Sequence, residues 1–238
     1  MKSDRINRVL QVLELVALNP EPTRLKEIGN ALQLHPSMVS RIVADLTDSG
    51  LIVKCAYRSV IPSPALALLG KKAGENHPLS RIAQEILSPF AEKNALSCEL
   101  TSVTMFGLYQ FFAVCRDTPA PAPLWRSDPA AVIFAAGGIS DDEVIARLEA
   151  VLPPDHKEDL NWFLSRVADA REKRFLINRH AGRFRQLTLP VRCGTLNCAL
   201  SAAAKNIPDM ESLFMECSRL AVKISSLYDQ ISNPDAQS

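Results

Sequence analysis

The chain has 238 residues, with 27 Lys and Arg against 26 Asp and Glu and a formal net charge of +1. Hydrophobic residues make up 47% and charged residues 22%, which is typical of a globular protein and argues against a disordered chain. No apolar run approaches the roughly 20 residues that a membrane helix needs. The first residues carry charge where a signal peptide would be apolar, so we expect a cytoplasmic protein with no membrane partner.

The first seventy residues predict three successive helices. Prolines end the first helix at residues 19–22, Thr23 is predicted to cap the second, and residues 33–36 form a short turn. The third helix runs over residues 37–46, and Gly50 suits a left-handed cap after it. Helical spacing assigns the apolar positions to Ile6, Val9, Leu10, Leu13, Val16 and Ala17, then Leu25, Ile28 and Leu32, then Val39, Ile42, Val43 and Leu46.

Two β-branched runs, at residues 51–54 and 57–61, predict a hairpin after the third helix. Three helices and a hairpin, with a short turn between the second and third helices, make a winged helix-turn-helix domain. Some small-molecule methyltransferases use such a domain only for dimerisation, and this alternative stays open. Those enzymes need a glycine-rich cofactor loop after a strand, and the only glycine pair here follows Ala136 in a helix-loop context.

The charge is divided unevenly along the chain. Residues 1–74 contain ten basic and six acidic residues, a net charge of +4, and the remainder carries −3. A basic head on an acidic body predicts two domains, the first of which binds a polyanion.

The start of the third helix carries the candidate DNA contacts. A B-DNA major groove admits one helix, and the N-terminal turn would enter it first. Arg41 is the outward residue there that can contact guanine bidentately, while the wing cations would contact phosphates or the minor groove. The candidate residues are Ser37, Met38, Ser40 and Arg41 on the helix, and Lys54 and Arg58 on the wing.

The stretch from Arg5 to Lys72 resembles the DNA-binding domain of the IclR family of bacterial transcription regulators. The segments that carry the resemblance are residues 25–34 (LKEIGNALQL), 37–43 (SMVSRIV), 50–52 (GLI) and 63–70 (SPALALLG). The chain has His35-Pro36 where the family tends to have Pro-Lys, and Met38 where it tends to have Thr. We expect these departures to change the operator sequence rather than to abolish DNA binding.

The resemblance implies an α+β protein with a winged helix-turn-helix domain at 1–62, a linker helix at 63–76 and a GAF-like effector-binding and oligomerisation domain at 77–238. It also implies homodimers through the head and linker helix, and homotetramers through the effector domains. The rest of the sequence fits an α+β fold. It predicts helices over 79–90, 141–152, 155–171 and 211–231, and strands over 97–105, 108–115, 175–177, 185–193 and 196–203.

The effector pocket implied by the resemblance contains Ser201, Ser127 and Arg126. Arginine forks bind carboxylates bidentately, so a carboxylate effector is one hypothesis. The alternatives are that the arginines are solvated strand ends, or that the pocket has degenerated and the domain only assembles subunits. The arginines that would have to converge are Arg116, Arg126, Arg179, Arg183 and Arg185.

The thiols and imidazoles are scattered and show neither a C-x-x-C pair nor zinc-ligand spacing. We expect reduced thiols, no metal and no cofactor. Catalytic motifs are also missing, so we assign no catalytic residue, although Cys98 or Cys193 with His180 could pair as nucleophile and base. The six cysteines are Cys55, Cys98, Cys115, Cys193, Cys198 and Cys217.

The sequence therefore predicts a sequence-specific transcription regulator of the IclR type, which binds double-stranded DNA and responds to a small effector. The leading alternative is an enzyme, such as a methyltransferase, that uses the winged helix for dimerisation. A second alternative is a DNA architectural protein that binds no ligand.

Overall fold

The structure is a computed structural model that describes residues 2–104, 107–114, 123–149, 152, 157–180, 184–207 and 209–232. The chain divides into two units, Met1–Glu75 and Asn76–Ser238. Each unit has its own apolar core and is described by itself.

The first unit contains a helical bundle and a small sheet. Its three strands are antiparallel and lie in the order β1-β3-β2. The elements are α1 (Lys2–Leu18), β1 (Thr23–Arg24), α2 (Leu25–Ala31), α3 (Pro36–Asp48), β2 (Ile52–Cys55), β3 (Ser59–Pro62) and α4 (Pro64–Asn76). The predicted winged helix-turn-helix arrangement is therefore present.

The core of the first unit confirms the predicted apolar face of α3, on which Val39, Ile42, Val43 and Leu46 are all buried. The predicted face of α1 is rotated slightly. Val12 is completely buried, whereas Ile6 and Ala17 at the ends of the predicted stripe are exposed. The burial of α1 is therefore centred on the Val12 and Val16 side of the helix.

The prediction that Thr23 caps the second helix is wrong. Thr23 lies in β1, where it is buried, and its hydroxyl accepts a hydrogen bond from the Asn19 amide at 3.1 Å. The backbone N–H of Arg24 instead donates to the Glu27 carboxylate at 2.9 Å, which satisfies the start of α2. A strand of two residues was not predicted, because its pairing with β3 is not local in sequence.

The second unit is built on one five-stranded antiparallel sheet in the order β5-β4-β8-β7-β6. The predicted strands and helices are present, with ends that shift by at most four residues. The elements are α5 (Pro78–Asn94), β4 (Ser97–Thr104), β5 (Gly107–Val114), α6 (Asp128–Ala136), α7 (Asp141–Glu149), α8 (Lys157–Lys173), β6 (Leu176–His180), β7 (Phe184–Cys193), β8 (Leu196–Ala204) and α9 (Met210–Ser232).

Helices cover both faces of this sheet. Successive side chains of a β-strand point to opposite faces of the sheet. Alternate residues of the central strands therefore contribute to opposite cores. In β8, Cys198, Leu200 and Ala202 pack with α5 and α9, whereas Ala199 packs with α6, α7 and α8. The fold is thus α+β with helices on both faces, in agreement with the predicted class.

A buried ion pair joins α6 to α8. Asp128, the first residue of α6, is almost completely buried, and the Nε of Arg166 on α8 donates to its Oδ1 at 2.9 Å. The other carboxylate oxygen, Oδ2, is buried and has no hydrogen-bond partner among the described residues. Arg166 is therefore the principal counter-charge of Asp128.

Within the described residues, no helix is long and apolar enough to cross a bilayer.

Candidate nucleic-acid interface and candidate effector site

The N-terminal turn of α3 is held by a histidine cap. His35 precedes the helix, Pro36 is its first residue, and the His35 ring accepts the Ser37 backbone N–H through Nδ1 at 3.4 Å. The same Nδ1 lies 2.8 Å from the Ser37 hydroxyl. Since Pro36 has no N–H and the next amide is capped, this helix end attracts an anion mainly through its dipole rather than through free N–H donors. The sequence did not predict this role of His35.

The four candidate residues of α3 all lie at the surface. Ser37, Met38, Ser40 and Arg41 are exposed, while the opposite face of the helix is buried in the core of the first unit. The Nη1 of Arg8 donates a hydrogen bond to the sulfur of Met38 at 3.2 Å. Arg41 makes no hydrogen bond or ion pair with another described residue. The leading turn is therefore available to a duplex within this unit.

The wing places both of its candidate cations at the surface. The hairpin of β2 and β3 is displaced by one to two residues from the predicted runs, and Ala56–Arg58 form its turn. Tyr57 and Arg58 adopt left-handed φ values of 58° and 55°, and Tyr57 is 91% exposed. Lys54 on β2 and Arg58 in the turn are both exposed. The wing thus presents two cations and an aromatic ring.

Ser201, the first candidate effector residue, lies buried in the middle of the large sheet. It shares the face of Ala199, over which α6 packs. The strand register sets Glu99 of β4 and Thr188 of β7 directly beside it, on either side. We call Glu99, Ser201 and Thr188 the polar row. The sequence did not predict Glu99 and Thr188 as site residues, although Glu99 is the one charged residue of β4.

The hydrogen bonds of the polar row all run in one direction. The Gln186 amide donates to the Thr188 hydroxyl at 3.2 Å, and the Thr188 and Ser201 hydroxyl oxygens lie 3.2 Å apart. The Ser201 hydroxyl bonds to Glu99, which also accepts from the Gln110 amide at 2.9 Å. Because Ser201 donates to the carboxylate, Thr188 must donate to Ser201. Glu99 is therefore the final acceptor of the chain.

Burial raises the pKa of Glu99 above its ordinary value, and the hydrogen bonds from Gln110 and Ser201 only partly oppose this shift. No charged side chain of the described residues contributes to the shift. The carboxylate is thus held by neutral donors alone. A low-polarity site favours the neutral form of such a group unless a cation approaches it.

The other two candidate effector residues have structural partners. Ser127 is the N-cap of α6, and its hydroxyl accepts the Ala130 backbone N–H at 3.2 Å. Arg126 precedes it in a 3-10 turn and pairs with Asp159 of α8 at 2.9 Å. In the part of the chain that is described, no hydrogen bond joins either residue to Ser201.

The structure separates Arg185 from the candidate effector residue Ser201. Arg185 pairs with Ala204 in the sheet. It has the same parity in β7 as Leu187 and Leu189, so it lies with them on the sheet face that packs on α5 and α9. Ser201 belongs to the other face. The remaining cations of the hypothesis, Arg116, Arg183 and the side chain of Arg179, lie outside the described residues.

Residues 6–54 match the IclR helix-turn-helix domain family. The first unit carries an IclR helix-turn-helix domain. No curated protein matches the sequence.

The IclR likeness extends over the whole chain at the level of the fold. An IclR-family transcriptional regulator from Brucella abortus covers 96% of this chain and 92% of its own length, at 16% identity and a TM-score of 0.70. A regulator of the same family from Alicyclobacillus acidocaldarius covers 94% and 98%, at 15% identity and a TM-score of 0.61. An IclR homologue from Microbacterium hydrocarbonoxydans, solved with 4-hydroxybenzoate, covers 94% and 98%, at 17% identity and a TM-score of 0.57. The chain has the fold of IclR-family transcriptional regulators.

These comparisons favour an IclR regulator over the methyltransferase alternative. The thiol chemistry also disfavours the two candidate nucleophiles, because burial raises the pKa of Cys98 to about 12, and the hydrogen bond with Cys198 together with burial raises the pKa of Cys193. A nucleophilic cysteine needs the opposite shift. The five described cysteines are free thiols, and Cys115 lies outside the described residues. Among the described residues, no group of His, Cys, Asp or Glu side chains has the arrangement of a metal site.

Proposed function

We propose that this protein is a sequence-specific DNA-binding transcription regulator, whose second unit senses a small effector at the polar row. The observation that carries the proposal is the uncovered leading turn of α3 in a domain that matches the IclR helix-turn-helix family. The surplus of basic residues in the first 74 residues supports it.

The α3 surface has the chemistry that base recognition requires. Its apolar residues are all used in the core, so the exposed side of its first turns offers two hydroxyls, a thioether and the Arg41 guanidinium to a major groove. The exposed Lys54 and Arg58 of the wing support contacts with the DNA backbone.

The decisive experiment is selection of DNA from a random duplex pool by the purified full chain. We expect a recurrent sequence motif after several rounds. Recovery of unselected DNA, with the same affinity for every sequence, would contradict base-specific recognition and would favour an architectural protein.

We expect Lys54→Ala to weaken binding to specific and unrelated duplexes by a similar factor, because a wing lysine contacts phosphate. The plot of log affinity against log salt concentration has a negative slope, and each lost phosphate contact makes this slope less steep by about 0.9. Fluorescence anisotropy over a range of salt concentrations measures both quantities. Lys223→Ala on the exposed side of α9 is the matched control and should change neither. A loss confined to the selected sequence would show that Lys54 reads a base instead.

The protein acts as a homodimer in this proposal, because paired half-sites require a two-fold symmetric reader. Helix α4 contains no buried residue, and its Leu68 and Leu69 side chains are 58% and 61% exposed. We expect the double variant Leu68→Lys, Leu69→Lys to lower the mass measured by light scattering to that of a smaller assembly, and to weaken binding to paired half-sites. Met215→Lys, at an exposed position of α9, is the control for an added charge. A wild-type monomer would overturn this part of the proposal.

The effector component is supported by the second unit. The Microbacterium relative of the same fold was solved with a small aromatic carboxylate. In this chain the sheet face under α6 brings a carboxylate and two hydroxyls side by side, in a region that otherwise packs with apolar residues. A polar group on an apolar wall is the usual composition of a small-molecule site.

A further inference from the structure

We propose that the polar row of Glu99, Ser201 and Thr188 receives a cationic, hydrogen-bond-donating group of the effector, such as an ammonium or an amidinium. This inference rests on the proposed function only in placing the effector at this sheet face. It differs from the carboxylate hypothesis that the arginines suggested.

The first step is the direction of the hydrogen bonds. The hydroxyl protons of Thr188 and Ser201 are both directed along the row toward Glu99. The row therefore has no hydroxyl donor left for a carboxylate ligand. Thr188 and Ser201 are buried, whereas Glu99 is partly exposed, so the row offers a ligand the lone pairs of the Glu99 carboxylate, and these accept hydrogen bonds.

The second step is the unused capacity of Glu99. An ionised carboxylate has about four lone-pair sites. Gln110 and Ser201 occupy two of them, so about two remain for a ligand. A bound anion would also lie beside the negative charge of Glu99, whereas an ammonium would neutralise it at short range.

The third step is the charge balance of the site. Arg126, the described arginine nearest to the α6 N-cap in sequence, is already paired with Asp159, and Arg185 lies on the other sheet face. No described cation contributes to the electrostatics of Glu99. A half-buried carboxylate that is held only by neutral donors keeps an uncompensated negative charge. A bound cation would compensate that charge.

The test is a thermal-shift and calorimetric comparison of matched probes on the full chain. The amines are benzylamine, 4-hydroxybenzylamine and benzamidine, and the matched acids are benzoate and 4-hydroxybenzoate. We expect at least one amine probe to raise the melting temperature, since a ligand that binds only the native state stabilises it. The acids should not do so. The proposed ligand class is overturned if an acid raises the melting temperature. It is also overturned if no amine does so at concentrations up to about 10 mM, which is above the Kd of a weak ligand.

The variant Glu99→Gln locates the binding. Glutamine has nearly the same shape as glutamate but carries no charge. We therefore expect the affinity for amines to fall about 10- to 100-fold, which is the usual contribution of a hydrogen bond to a charged group. Glu172→Gln, on the exposed side of α8, is the matched control and should bind amines as the wild type does. Equal loss in both variants, or no loss in either, contradicts a site at Glu99.

A measurement without ligand gives an independent readout. Because folding raises the pKa of Glu99, ionisation of this carboxyl group destabilises the folded state as the pH rises. The cost disappears at acid pH, where the group is protonated in both states. We expect Glu99→Gln to melt at a higher temperature than the wild type at pH 8, and this gain to vanish toward pH 4. A variant that is less stable at pH 8 would show that the charge holds the fold together. None of these results depends on DNA binding, which the selection experiment tests separately.

Discussion

The variant Arg166→Met is expected to destabilise the second unit by about 3–5 kcal/mol. The substitution leaves the Asp128 carboxylate buried without its counter-charge, and removing one member of a buried ion pair costs about this much. Asp128 has no second partner that could take over, because its Oδ2 makes no hydrogen bond with a described residue. The side chains of Arg166 and Asp128 are only 16% and 2% exposed, so water does not replace the lost contact.

Tryptophan fluorescence makes this measurement specific, since the two tryptophans, Trp125 and Trp162, both lie in the second unit. The melting midpoint should fall by roughly 6–20 °C for a domain of this size. Lys173→Met on the same helix breaks an exposed pair with Asp169 and should cost at most about 1 kcal/mol. The double variant Asp128→Asn, Arg166→Met should be more stable than Arg166→Met alone, because the unpaired charge is gone. A single variant within about 1 kcal/mol of the wild type would contradict a buried pair.

The long helices of this fold could be predicted because each has one buried face. Helices α1, α3, α5 and α9 repeat apolar residues at helical spacing. Short elements and elements buried on all sides could not. Helix α6 reads DPAAVIFAA and is buried over its first seven residues, so it has no polar face to reveal its period. The two-residue strand β1 exists only through its pairing with β3.

The two candidate sites differ in the same way. The candidate DNA contacts on α3 are close in sequence and lie on a helix whose inward face is apolar, so their outward position follows from local periodicity. The polar row depends on the sheet order, which sets β4 beside β8 and β8 beside β7. Ser201 could be proposed because a family pattern covered it, but its neighbours Glu99 and Thr188 follow only from the strand register. The juxtaposition of these three polar side chains is therefore a property of the register.

The variant Arg41→Ala is expected to weaken binding to the selected duplex by about 1–3 kcal/mol, the usual worth of a bidentate contact with a base. Arg41 is exposed and has no described partner in the protein, so the loss cannot arise from a damaged fold. Binding to unrelated DNA should fall much less. Arg219→Ala on α9 is the control for loss of an exposed arginine and should leave both affinities unchanged.

Arg41→Lys separates base recognition from charge. A lysine keeps the positive charge but cannot form the two parallel hydrogen bonds of a guanidinium with one guanine. We therefore expect this variant to bind unrelated DNA as the wild type does, while its preference for one base pair of the selected motif disappears. Anisotropy titrations against duplexes that carry each of the four bases at every motif position identify that base pair. If Arg41→Lys kept the full preference, Arg41 would contact phosphate, and base recognition would pass to Ser37, Met38 and Ser40.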